Sequence, residues 1–162
     1  MSERQRASDQ PSAPEEALAG LGLSVPEVVP PVASYIPSLR SGNYVFTSGQ
    51  LPMKDGALLS TGKLGGEVSP EEGVAAAQQC ALNALAAVKA EIGDLSLVKR
   101  VVKVTCFVAS TPDFTAQPGI ANGASELFGA VFGEAGRHTR SAVGVPVLPL
   151  DAPVEVEIIV EI

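Results

Sequence analysis

Alternating hydrophobic and polar positions predict strands in the second half of the chain. In residues 101–108 (VVKVTCFV) and 154–160 (VEVEIIV), apolar side chains occupy every second position. Because successive side chains of a strand point to opposite faces, each segment should present one apolar face. Further strands are predicted at residues 45–48 and 141–147. The predicted apolar face comprises Val102, Val104, Cys106 and Val108 in the first segment and Val154, Val156, Ile158 and Val160 in the second.

Apolar residues at helical spacing predict two helices. The first begins with Ser69-Pro70-Glu71-Glu72, a capping box in which the side chains of Ser69 and Glu72 satisfy each other's backbone N–H groups. Gly93 is its predicted stop. The second helix is predicted at residues 118–132. The apolar stripes comprise Val74, Ala77, Ala81, Leu85, Val88 and Ile92 in the first helix and Ile120, Ala124, Leu127, Phe128 and Val131 in the second.

The order of these elements predicts an α+β fold. Strand, helix, strand, helix, strand, strand is the order expected for two helices packed on one face of a mixed β-sheet. The opposite face would stay uncovered although it is apolar. We therefore predict a homo-oligomer that buries this face against copies of itself. The predicted uncovered face comprises Val101, Phe107, Val143, Val145 and Ile159.

The chain divides into three predicted segments. Residues 1–14 are polar, carry two prolines and are predicted to form a flexible tail. Residues 15–33 form an N-terminal extension, with a short helix at 15–23 and a proline-rich extended stretch at 24–32. Residues 34–162 form the α+β domain, in which the turn residues at 54–66 predict a hairpin or a long loop.

Composition narrows the class of protein. A chain of 162 residues fits one domain. A net charge of -7 and an aromatic content of 4% argue against nucleic acid as a partner. No apolar run reaches the roughly 18–20 residues of a membrane span, and the first residues lack the apolar region of a signal peptide. We therefore expect a cytoplasmic protein without a membrane partner.

Few residues suit the common catalytic chemistries. His138 is the only histidine, so no metal site is expected, and a Ser–His–Asp hydrolase would depend on this residue alone. We interpret it as a loop residue beside Arg137. Neither a Gly-rich phosphate loop nor a GxSxG motif occurs, and no cofactor is expected. Cys80 and Cys106 lie in apolar segments and are interpreted as buried structural thiols.

Arg140 is the charged residue with the most unusual surroundings, because it precedes the apolar run SAVGVPVLP. A guanidinium in such a place needs an anionic partner. Three alternatives remain open: an ion pair with Glu155 that ties two neighbouring strands, a bidentate contact with the carboxylate of a ligand, or a solvated side chain.

Three blocks of sequence occur in a characteristic order. They are ASY at 33–35 with GNYVFTSGQLP at 42–52, VVKVTCFV at 101–108, and RSAV at 140–143 with LP at 148–149 and PVEVE at 153–157. Together they resemble the reactive-intermediate deaminase (Rid) superfamily, also labelled endoribonuclease L-PSP, over residues 34–162. The resemblance implies a chorismate-mutase-like α+β fold and a homotrimer with its sites in clefts between subunits. It also implies cofactor-free hydrolysis of reactive enamines or imines, such as 2-aminoacrylate, to a 2-keto acid and ammonia.

The resemblance also implies which residues form the site. Arg140 matches the arginine that holds the substrate carboxylate, and Glu155 matches the acidic residue that positions the attacking water. The remaining implied site residues are Tyr35, Ser48, Asn122 and Ala142, the last of which acts through its backbone carbonyl.

Two segments depart from the family pattern. Residues 117–128 lack the bulky tyrosine that usually stands near Ser125, and the loop at residues 54–67 is extended. The leading hypothesis is an enamine or imine deaminase acting on a small carboxylate-bearing substrate. The alternatives are a trimeric module that binds a small carboxylate without turnover and an endoribonuclease, against which the negative net charge argues.

Overall fold

The computed structural model describes residues 12–31 and 33–162. Apart from its last three residues, the predicted tail at 1–14 lies outside this part of the chain, as does Val32. The described helices are α1 (Ala13–Gly20), α2 (Pro70–Ile92) and α3 (Gln117–Phe132). The strands are β1 (Ser38–Ser41), β2 (Tyr44–Thr47), β3 (Met53–Lys54), β4 (Ala57–Leu58), β5 (Arg100–Ala109), β6 (Thr139–Val145) and β7 (Val154–Glu161).

Five strands form one mixed sheet in the order β1-β2-β7-β5-β6. The pair β5–β6 is parallel and the other pairs are antiparallel. Helices α2 and α3 pack against each other and against the sheet. The predicted α+β fold is confirmed, and strands β3 and β4 form a separate small hairpin within the segment predicted as a hairpin or a long loop.

Helix α2 begins and ends where the sequence predicts. The Ser69 hydroxyl accepts a hydrogen bond from the Glu72 N–H at 3.2 Å, and the Glu72 carboxylate accepts one from the Ser69 N–H at 2.9 Å. Gly93 follows the last turn with φ at +85°, a conformation that favours glycine. The middle of the helix is buried on nearly all sides, so its many alanines let neighbouring elements approach closely.

Strand β5 contains a register shift that the alternation did not reveal. The shift lies between Val101 and Lys103 in the pairing with β7. An extra residue in one strand reverses which face the following side chains reach. As a result Val101 is buried together with Val104, whereas Val102 is only half-buried. The predicted placements of Val102 on the helix-covered face and Val101 on the uncovered face are therefore wrong.

The face of the sheet opposite the helices carries several apolar side chains that the described residues leave at least partly exposed. Val143 is 44% exposed and Phe46 is 41% exposed, and both belong to this face by their strand pairing. Phe107, Val145 and Ile159 are half-buried there. We predicted that the protein self-associates through these side chains. The oligomeric state itself stays a prediction.

Helix α1 joins the N-terminal segment to the core of the domain. It begins at Ala13, earlier than predicted, and packs against α3 and the turn Leu95–Leu97. Leu18 is completely buried, and Glu15 pairs with Lys89 of α2. None of the helices at residues 12–31 and 33–162 combines the length and hydrophobicity that crossing a bilayer requires.

We expect Leu18→Ala to lower the free energy of unfolding by about 2–5 kcal/mol, because it leaves a cavity in the main core. The matched control is Leu21→Ala, since Leu21 is 51% exposed in the same segment and should cost little. Denaturant unfolding at fixed protein concentration measures both. Equal midpoints for the two variants would show that helix α1 does not share the core of the domain.

Candidate functional site

The Arg140 guanidinium is held by helix α3. Arg140 lies on the edge strand β6 opposite Val104, whose side chain faces the helices. Its Nη1 donates to the Asn122 Oδ1 at 2.8 Å and to the Ser125 Oγ at 3.1 Å, and its Nη2 donates to the Pro118 carbonyl at 3.4 Å. All three acceptors belong to α3 and none is ionised.

These contacts leave part of the guanidinium available. Arginine has five N–H donors, and the three acceptors of α3 occupy both donors of Nη1 and one of Nη2. The Nε–H and one Nη2–H have no acceptor among the described residues, and the Nε–Nη2 edge of a guanidinium is one of the edges that match a carboxylate. Across residues 12–31 and 33–162 no Asp or Glu pairs with Arg140. The side chain is therefore oriented, charged and without an anionic partner in the part of the chain that the structure describes.

A serine and the histidine extend this arrangement. The Ser125 Oγ lies 2.8 Å from the His138 Nε2, and the His138 Nδ1 lies 2.7 Å from the Gly136 carbonyl oxygen. The imidazole also packs edge-on against the Phe128 ring, with 5.9 Å between ring centroids. We call Asn122, Ser125, His138 and Arg140 the arginine cluster. His138 lies in a loop, as interpreted from the sequence, and its ring is half-buried and hydrogen-bonded through both nitrogens.

Glu155 belongs to a second group of residues, on the opposite face of the sheet. It pairs with Phe107 near the start of β7, and its carboxylate packs so closely on Gly49 that any Cβ there would overlap it. The neighbouring Ser48 Oγ donates to the Ile36 carbonyl at 2.6 Å, beside the exposed Tyr35. We call Tyr35, Ser48, Gly49 and Glu155 the glutamate cluster.

Burial raises the pKa of the Glu155 carboxyl above its ordinary value, and the like charge of Glu157 raises this pKa further. Glu157 lies two residues along β7 and so faces the same side of the sheet. The folded chain thus holds this proton more tightly than the unfolded chain. The resulting stabilisation is fully present below the unfolded pKa and is lost as pH rises through the folded pKa.

The arginine and glutamate clusters do not meet within one chain. Strand β5 separates β6 from β7, and Arg140 and Glu155 pair with β5 residues three positions apart. With strands about 4.8 Å apart and a rise of about 3.3 Å per residue, their Cα atoms are about 14 Å apart, with side chains on opposite faces. The alternative of an Arg140–Glu155 ion pair between neighbouring strands is therefore wrong for the single chain.

Ala142 lies with the arginine cluster. It follows Arg140 by two residues on the same face of β6, opposite Cys106, and packs against the main core. Cys106 and Cys80 are both buried, which confirms their interpretation as structural thiols. Burial raises the pKa of Cys106 to about 12 and that of Cys80 well above its ordinary value, so neither supplies a thiolate at neutral pH.

A cleft of about 660 Å³ adjoins the glutamate cluster. The extended segment at residues 22–31 forms one wall, and Tyr35 and Gly49 line the cleft as well. Two buried amides of α2, Gln79 and Asn83, also line it. Asn83 donates to the carbonyls of Leu51 and Met53, both at 2.9 Å, and so fixes the loop that follows β2. The N-terminal segment therefore shapes the surroundings of Tyr35.

A family model described as "YjgF/chorismate_mutase-like, putative endoribonuclease" matches residues 15–162. The chain belongs to this family. The match confirms the resemblance to the Rid/L-PSP superfamily and the chorismate-mutase-like fold.

Individual relatives and solved structures support the assignment. The Trypanosoma cruzi protein TCP17 is 47% identical over 90% of this chain and 91% of its own length. A 2-iminobutanoate/2-iminopropanoate deaminase of Dermatophagoides farinae is 34% identical over 86% of this chain and 94% of its own length. The crystal structure of Atu1372 from Agrobacterium tumefaciens, a protein of unknown function, matches with a TM-score of 0.88 and 46% identity. It covers 98% of this chain and 96% of its own, so the likeness includes the N-terminal segment.

Sequence reasoning missed Ser125 and His138 as members of the site of this YjgF-family chain. The missing signal was spatial, because Ser125 lies 15 residues before Arg140 and only the packing of α3 on β6 brings it to Arg140 and His138. A usable hint was present in the sequence, since the bulky tyrosine expected near Ser125 is absent. In the described residues no group of three His, Cys, Asp or Glu side chains forms a metal-ligand set.

We expect Glu157→Gln to lower the pKa of Glu155, because the substitution removes a like charge but leaves burial in place. An NMR titration of the glutamate side-chain carboxyls measures the change. Glu161→Gln is the matched control, since residue 161 lies about 20 Å further along the same strand and face. A Glu155 pKa that both variants shift equally would contradict a local effect of Glu157.

Proposed function

We propose that this protein hydrolyses reactive 2-imino acids, of the kind formed from 2-aminoacrylate, to 2-keto acids and ammonia. The observation that carries the proposal is the Arg140 guanidinium, which three neutral acceptors hold while its Nε–H and one Nη2–H have no acceptor in the part of the chain that the structure describes. A half-buried Glu155 with a raised pKa supplies the second group that the reaction needs. The deaminase named among the relatives acts on the same class of small carboxylate-bearing imines.

The proposed chemistry needs orientation and proton transfer. Arg140 binds the substrate carboxylate and thereby fixes the position of the imine carbon. A water adds to that carbon, and the Glu155 carboxylate accepts a proton from the water while the protonated imine nitrogen becomes an amine. Glu155 then donates its proton to the nitrogen. As the C–N bond breaks, the hydroxyl group of the intermediate passes its proton back to the Glu155 carboxylate, so that the keto acid and ammonia leave and Glu155 releases this proton to solvent. A carboxyl whose pKa lies closer to the working pH performs both steps better than an ordinary glutamate.

The proposal requires a second copy of the chain. Arg140 and Glu155 lie on opposite faces of one sheet, so a substrate held by one cannot reach the other in the same subunit. We propose a homotrimer, as the family resemblance implies, in which the uncovered apolar face of the sheet is buried. The arginine cluster of one subunit would then face the glutamate cluster of its neighbour.

We expect Arg140→Ala to lower kcat/KM for imine hydrolysis by about 100-fold or more, because two charged hydrogen bonds to the carboxylate are lost. The assay generates 2-iminopropanoate in situ with an amino-acid oxidase and follows its disappearance. The kcat/KM of Arg140→Lys should lie between those of the wild type and Arg140→Ala, since lysine keeps the positive charge but cannot make the bidentate contact.

Arg137→Ala is the control for this test, because Arg137 is highly exposed and its side chain forms a surface ion pair with Glu134. Full activity of Arg140→Ala, or no acceleration by the wild-type protein, would refute the proposed function. Saturable binding of pyruvate without turnover would instead identify a carboxylate-binding module.

We expect Val143→Asp to dissociate the oligomer, because it places a charge in the uncovered apolar face. Sedimentation velocity would show trimers for the wild type and smaller species for the variant, with imine hydrolysis lost in parallel. Val147→Asp is the control, since Val147 is 64% exposed and lies beyond the end of β6. A wild-type monomer with full activity would exclude the shared site.

A further inference from the structure

We propose that Ser125 and His138 are positioning residues, which set the direction of the hydrogen bonds that hold Arg140 ready for a carboxylate. The inference rests on the proposed function, in which Arg140 anchors the substrate. The Ser125 Oγ forms hydrogen bonds with two other side chains, those of Arg140 and His138.

The direction of these hydrogen bonds follows from donor and acceptor chemistry. A carbonyl oxygen only accepts, so the His138 Nδ1 at 2.7 Å from the Gly136 carbonyl must carry a proton. In the neutral imidazole the Nε2 then has a lone pair, and the Ser125 hydroxyl donates to it. A guanidinium only donates, so Ser125 accepts from Arg140 through an oxygen lone pair. Each step thus runs in one direction, from Arg140 to Ser125, to His138, to Gly136.

His138 gives Ser125 a fixed hydroxyl orientation that a helical serine otherwise lacks. Serine side chains in helices readily donate to the backbone carbonyl four residues earlier. That rotamer would turn the Ser125 oxygen away from Arg140, and Nη1 would keep only Asn122 as its acceptor. With the proton committed to the His138 Nε2, the oxygen lone pair stays directed at the guanidinium.

The imidazole is itself held firmly. Its ring packs edge-on against Phe128, which is completely buried in the core. The turn Gly133–Gly136 that supplies the carbonyl approaches α3 so closely that a Cβ at Gly136 would overlap the Phe128 backbone. The series of hydrogen bonds that begins at Arg140 and passes through Ser125 and His138 therefore ends at Gly136, in the rigid part of the domain.

The groups that hold Arg140 are all neutral, and this matters for the binding of the substrate. Asn122, Ser125 and the Pro118 carbonyl hold Arg140 without neutralising it. A carboxylate at any of these places would compete with the substrate carboxylate for the same charge. These hydrogen bonds thus orient the guanidinium, and the positive charge of Arg140 stays available for the substrate carboxylate.

Three variants test the proposal. Ser125→Ala removes the acceptor, His138→Phe keeps the ring packing on Phe128 but loses both ring hydrogen bonds, and His138→Gln restores an acceptor near the position of Nε2. We expect Ser125→Ala and His138→Phe to raise KM and the inhibition constant for pyruvate by about 5- to 30-fold, with kcat changed less than about twofold. His138→Gln should recover most of the loss. Glu126→Ala, exposed on the same helix, is the control.

Two NMR measurements test the hydrogen bonds from Arg140 through Ser125 to His138 without enzyme turnover. The ring ¹⁵N shifts of His138 at alkaline pH should show the Nδ1–H tautomer. The Arg140 Nε–H signal should be sharp in the wild type and in His138→Gln but broadened in Ser125→Ala. Thermal unfolding checks that each variant is folded.

The outcomes separate the two proposals. An Nε2–H tautomer, an unchanged Arg140 signal in Ser125→Ala, or KM values equal to the Glu126→Ala control would overturn the positioning role. A loss of kcat with unchanged KM would also overturn it, because Ser125 and His138 would then act on the reacting atoms directly. If the wild type neither hydrolyses imines nor binds pyruvate while both NMR results hold, the proposed function fails and the orientation of Arg140 stands.

Discussion

The coverage of only one face of the sheet is the constraint on which the rest of the structure depends. Helices α2 and α3 bury the inward side chains of β7 and β5, and the opposite face keeps exposed Phe46 and Val143. Because alternate side chains of a strand reach opposite faces, this coverage also divides the polar residues. Arg140 turns toward α3 and finds acceptors there, whereas Glu155 turns to the open face and packs on Gly49.

The division gives each charged group a different environment. The guanidinium is satisfied by neutral acceptors and keeps its charge, while partial burial and a neighbouring carboxylate raise the pKa of Glu155. A fixed cation and a carboxyl that holds its proton more tightly are complementary, one for binding an anion and one for moving a proton. They become a single site only if a second subunit unites them. The same association would bury the apolar face that the helices leave open.

Much of the fold was predictable because its determinants are local. The capping box at Ser69, the stop at Gly93 and the stripe of α3 were all confirmed, since each depends on residues within a few positions of one another. The face of Val101 was not predictable, because the β-bulge in β5 arises from pairing with β7 and leaves no mark in the alternation. The burial of Leu18 was missed for a similar reason, since its partners lie far along the chain.

The sequence by itself determined helices α2 and α3, strands β2, β5, β6 and β7, the buried cysteines, the apolar excess and, through the order of three blocks, the YjgF/chorismate-mutase-like family. Only the tertiary structure decided how the charged residues are arranged. It excluded an Arg140–Glu155 pair within one chain, because β5 lies between their strands. It also brought Ser125 of α3 to both Arg140 and His138. Hydrogen bonds of this kind require side chains within about 3 Å of one another, and that distance depends on how α3 packs across the edge of the sheet.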